Sequence, residues 1–115
     1  MSKTGEVHLK FSKVEAVLVP TPHALRTVLT ELGGALNVYH ALSRMEYQAV
    51  FALIKAGTKQ ADTRWTKSDD EALDAEIFDY GLSELVKPCT RYLTLLINGG
   101  REPEEVEDDA DSGKG

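Results

Sequence analysis

Apolar and polar residues alternate cleanly at one place in this chain. Val7, Leu9 and Phe11 are separated by His8 and Lys10, the two-residue period of a strand buried on one face. After Ser12-Lys13, the run from Val14 to Val19 is β-branched or apolar except for Glu15, which predicts a second strand. A hairpin turning near Ser12–Val14 joins the two, although no Asn-Gly or Asp-Gly marks the turn. A two-stranded hairpin is weak alone, so it must pack on something else.

Beyond Pro20 the period changes to that of helices. Thr21-Pro22 is a start signal: a hydroxyl to accept from free amides, then a proline whose missing N–H costs nothing there. Ala24, Leu25, Val28, Leu29 and Leu32 form one apolar face, ended by Gly33-Gly34. Leu36, Tyr39 and Leu42, with Val38 and Met45, predict a short second helix. Tyr47, Val50, Phe51 and Ile54 predict a third that stops at Gly57. Thr58 to Lys67 is polar and reads as a surface loop carrying Trp65. Ser68-Asp69-Asp70-Glu71 has the form of a capping box, with Ser68 bonding the amide of residue 71. Leu73, Ile77 and Tyr80 line the fourth helix, closed by Gly81. Leu82, Leu85, Val86, Cys89, Leu93 and Leu96 line the fifth, with Asn98-Gly99-Gly100 as its stop. Pro88 means that this last helix is either kinked or regular only from about Lys87. The expected fold class is therefore mostly α: a short N-terminal β-hairpin, a compact bundle of about five helices, and a disordered acidic C-terminal tail.

Charge sharpens the boundary between domain and tail. The 115 residues carry a net charge of −6. Residues 101–115 hold seven acids against Arg101 and Lys114 and show no apolar periodicity, so the domain is read as 1–100 and the tail as 101–115. The remaining eleven bases and twelve acids leave the domain nearly neutral, without the basic stripe that nucleic-acid binding needs. Removing the tail is expected to leave the fold intact. Cys89 is the single cysteine, so no internal disulfide can form. Met1–Lys10 lacks the apolar run of a secretory signal, and the longest apolar stretches, such as Leu95-Leu96-Ile97, are too short to span a membrane. A cytoplasmic protein is expected.

No catalytic constellation emerges. His8, His23 and His40 fall on a strand, a helix start and a separate helix, without ligand spacing for a metal. Cys89 lies on an apolar stripe and reads as a small hydrophobe. Asp69, Asp70, Glu71, Asp74, Glu76 and Asp79 lack the glycine and alternating oxygens of a calcium loop, and read as capping residues and a solvated face. The expectation is a non-enzyme with no cofactor and no metal. Trp65 is either a cap on the core from outside or an exposed anchor for a partner, since tryptophan dominates binding hot spots. Trp65, Tyr39 and Tyr47 are the candidate partner-binding residues.

From Val7 to Gly100 the order of features resembles the small tail assembly chaperones of long-tailed phages and gene transfer agents. The resemblance rests on the hairpin, on "VLVPTPHALRTVLTELGG", on "ALNVYHALSRMEYQAVFALIKAG" and on "YGLSELVKPCTRYLTLLINGG". It implies a viral, non-virion protein in the host-cell cytoplasm. Such a protein binds the long helical tape-measure protein, keeps it soluble and helps recruit tail-tube protein subunits; a homo-oligomer is left open. It also implies a longer product made by a −1 ribosomal slip, for which Ser112-Gly113-Lys114 permits a slippery heptamer if the Ser112 codon ends in G. The alternatives are a structural tail component, as a tube or tail-completion subunit, and a host helical adaptor. A tube subunit would need long strands that pair between neighbours, and this chain predicts only a short hairpin.

Overall fold

The alternation near the N-terminus produces an antiparallel hairpin, β1 (Val7–Lys10) with β2 (Glu15–Leu18), in the register Val7↔Leu18, His8↔Val17, Leu9↔Ala16 and Lys10↔Glu15. That register puts Val7, Leu9, Ala16 and Leu18 on one buried face. His8 and Glu15 meet on the outer face at 3.2 Å. The computed structural model describes residues 5–59 and 64–101. The acidic segment expected to be disordered lies, from residue 102 onward, outside the described residues.

Five helices follow: α1 (Pro22–Thr30), α2 (Ala35–Ser43), α3 (Tyr47–Gly57), α4 (Asp70–Tyr80) and α5 (Leu82–Ile97). The architecture is mostly helical with a short N-terminal hairpin, as the periodicity predicts. Among the described residues no helix is long and apolar enough to cross a membrane.

The start of α1 follows the sequence signal: Thr21 Oγ1 accepts from the Ala24 amide at 3.0 Å, with Pro22 in the first turn. The fourth helix starts differently. The capping box belongs to Thr66 and Asp69, not to Ser68 and Glu71, and a 3-10 turn (Lys67–Asp69) leads into α4. The Thr66 amide donates to Asp69 Oδ2 at 2.9 Å and the Thr66 hydroxyl to the same oxygen at 2.8 Å. Those two bonds hold the Asp69 carboxyl below the usual carboxylate range. The box sits two residues early because Thr66 offers the same acceptor chemistry as Ser68.

α5 is the central element, packing against the other four helices and against β1. It runs unbroken from Leu82 through Pro88, so its regular part does not begin near Lys87. Leu85 and Cys89 are buried on either side of the proline. Burial there outweighs a proline penalty of about 3 kcal/mol. Tyr92, absent from the predicted stripe, is fully buried and donates to the Val19 carbonyl at 2.8 Å. The Val19 amide in turn donates to the Gly57 carbonyl at 2.9 Å. Glu76, read from sequence as part of a solvated face, is also buried and accepts from the Ser12 amide at 3.1 Å and the Ser12 hydroxyl at 3.0 Å. These bonds tie the hairpin to α5, α3 and α4, the layer that it needs.

Several predicted core positions face outward. Leu29, Leu36 and Met45 are exposed; α2 instead buries Val38, Ala41 and Leu42. Met45 lies beyond the end of α2 at φ +57°, so it cannot continue that helix's stripe.

Candidate partner-binding groove

α3 forms the floor of two adjoining concave surfaces. One is a cleft of about 480 Å³ between α1, α3 and residues 64–67. The other, of about 260 Å³, lies between α2 and the N-terminal half of α3. They share Glu31, Leu32 and Ala52 and so adjoin along α3, where they are taken together as one groove. Alanines 41, 49, 52 and 56 supply small side chains to its lining, which permits close approach by another backbone.

The helical repeat places Phe51, Lys55 and Lys59 at four-residue intervals on one face of α3 and its C-terminal extension. Lys55 Nζ is 2.6 Å from Asp70 Oδ1 and 5.3 Å from the Phe51 ring centroid. With Asp70 half exposed, that pair contributes at most about 1 kcal/mol. Lys59 Nζ is 3.2 Å from His23 Nε2. Arg64 and Lys67 complete a basic rim, with Glu31 as the facing acid. Glu31 sits where the two halves meet, and Glu46, at the far end, is paired with Arg44 Nε at 2.8 Å. The bases of the groove thus gather at one end.

Trp65 lines the basic end, half buried. Its ring meets Phe11 edge-on at 6.4 Å, and Phe11 meets Tyr80 edge-on at 5.4 Å. This aromatic row closes the core over the hairpin tip. The Trp65 Nε1 atom is buried and has no hydrogen-bond partner among the described residues. Tyr47 lies one turn before Phe51, with the two rings 5.7 Å apart, and its hydroxyl donates to the Asp74 carboxylate. Burial first, and then the neighbouring Asp74, push the Tyr47 phenol well above its usual value. Tyr39 is elsewhere: its hydroxyl is 2.7 Å from Thr94 Oγ1 and joins α2 to α5.

Of the three candidates, Trp65 lines the groove with Phe51, Tyr47 contacts Phe51 without lining the groove, and Tyr39 lies apart. The basic rim escaped the sequence reading. The Phe51-Lys55-Lys59 spacing was visible, but the approach of His23, Arg64 and Lys67 depends on how the helices pack.

Cys89 is buried in the core, and burial pushes its thiol up to about 12. Among the described residues, no three of histidine, cysteine, aspartate and glutamate gather as a metal site. Comparison with protein-family models, with characterised proteins and with solved structures finds no match.

Proposed function

We propose that this chain is a non-catalytic phage tail assembly chaperone whose α3 groove receives a helical segment of the tape-measure protein. The observation that carries the reading is the groove itself: open, as long as α3, with alanines and a few larger apolar side chains on its floor and charged side chains at its rim. Eleven helical residues extend about 16 Å, enough to seat three turns of a partner helix. The basic rim gives that helix a direction, because the negative C-terminal end of a helix suits it. Trp65 and Phe51 serve as the aromatic wall against which apolar anchors pack. The resemblance in element order to tail assembly chaperones supplies the partner's identity. Strands of only four residues lend no support to a tube-subunit role.

The test is to look for a long helical reading frame beside this gene and to co-express its product, as the tape-measure protein, with this chain. The expected outcome is soluble tape-measure protein that copurifies with this chain. Ala52→Glu, which fills the middle of the groove, is expected to return it to the pellet while the variant itself stays folded by circular dichroism. Tape-measure protein that remains insoluble with the wild type, or soluble with Ala52→Glu, would overturn the proposal.

A further inference from the structure

The basic end of the groove has a candidate occupant within the same chain. Its rim carries Lys59, Arg64 and Lys67. Among the described residues neither Arg64 nor Lys67 takes part in an ion pair. Residues 102–111 contain Glu102, Glu104, Glu105, Glu107, Asp108, Asp109 and Asp111, and no base. We propose that this acidic segment docks in the cleft, its carboxylates against Lys59, Arg64 and Lys67, and holds the basic end of the groove until a partner displaces it. The inference goes beyond the chaperone reading and does not depend on it.

The path of the chain permits this. Gly100 is held by the Gly5 amide at 2.6 Å and by its own bond to the Leu95 carbonyl at 2.7 Å. Together with Gly99 it lies against Thr21, Pro22 and Leu25, so the chain leaves the fold at the first turn of α1. His23 and Thr27 of the same helix line the cleft from the other side. A helix with its side chains is about 10–12 Å across, and extended chain covers about 3.3–3.6 Å per residue. About four residues therefore carry the chain around α1. Glu107, Asp108, Asp109 and Asp111 then lie over the three rim cations. A short tether gives an effective concentration of the order of 1 mM. A segment that binds at only about 0.1 mM in trans would thus be docked in about nine-tenths of the molecules.

The experiment uses a fluorescently labelled peptide of residues 102–111 and the full-length chain. Against wild type the peptide must displace the tethered copy. Against the full-length variant E107Q/D108N/D109N/D111N the cleft is open, and the peptide is expected to bind about tenfold more tightly. Binding to that variant should vanish at 1 M salt, where the screening length is about 3 Å. It should also vanish when R64E/K67E is added, two exposed positions whose folding circular dichroism checks. Acrylamide quenching of Trp65, the single tryptophan, provides a second reading. It should be greater in the neutralised variant than in wild type. Equal peptide affinity for wild type and the neutralised variant, or no binding to either, would overturn the proposal. So would a wild-type difference that grows with protein concentration, since the occupant would then be the segment of a second copy.

Discussion

Gly57→Ala separates packing from backbone propensity. Gly57 is the last residue of α3, where alanine is ordinarily the better helix former by up to about 1 kcal/mol. A Cβ placed there would lie 2.9 Å from Leu18 Cδ2, 3.0 Å from Leu18 Cβ and 3.1 Å from Tyr92 Cζ. Both neighbours are fully buried, so neither can swing into solvent. Moving the strand away would stretch the Val19–Gly57 and Tyr92–Val19 hydrogen bonds together. Overpacking of this kind costs about 1–3 kcal/mol. Set against the propensity gain, the net loss should be about 1–2 kcal/mol. For a domain of this size that lowers the melting temperature by roughly 5–15 °C, read by circular dichroism at 222 nm. Leu18→Val in the same chain removes one contact and should recover part of the loss, giving a favourable coupling in a double-mutant cycle. Gly34→Ala is the contrast. No atom lies within 4 Å of its Cβ, but φ is +100°, so that loss is backbone strain and Leu18→Val should not relieve it. A Gly57→Ala protein that melts at or above the wild-type temperature would refute the argument.

Tyr92→Phe should cost about 1–3 kcal/mol by urea denaturation, since it leaves the Val19 carbonyl without its donor. Burial raises the Tyr92 phenol above its unfolded value, so the wild-type advantage is full below about pH 10 and shrinks as pH rises beyond it. A gap that stays constant to pH 11 would count against this linkage. Glu76→Ala should destabilise by about 1–2 kcal/mol and loosen the hairpin in hydrogen exchange at residues 7–18; water at the exposed Ser12 replaces part of the lost bonding. An unchanged exchange pattern would show that this contact does not hold the hairpin. Trp65→Ala should cost about 1–3 kcal/mol, less than a fully buried aromatic, because the ring is half exposed. It should also weaken tape-measure binding, and loss of stability with full binding would assign Trp65 to the core alone.

Local pattern was enough to locate most elements of this protein. The period of two at Val7–Phe11, the Thr21-Pro22 start and the glycines that close the first, third, fourth and fifth helices are signals carried by a few adjacent residues, and the structure places its elements there. Periodicity names the apolar face of a helix, but it cannot say how wide a partner covers that face. Leu29 and Leu36 are therefore exposed, while Tyr92 and Glu76 are buried. Tyr92 is buried because Val19 brings it an acceptor, and Glu76 because Ser12 brings it two donors, from 73 and 64 residues away. The groove has the same origin. Phe51, Lys55 and Lys59 share a face by helical repeat alone, but His23, Arg64, Trp65 and Lys67 join them only through the packing of α1 and the 64–67 segment against α3. Sequence determined which residues are apolar, charged or helix-breaking within a turn or two; long-range packing decided which of them meet, because burial and hydrogen bonding depend on neighbours that no local window contains.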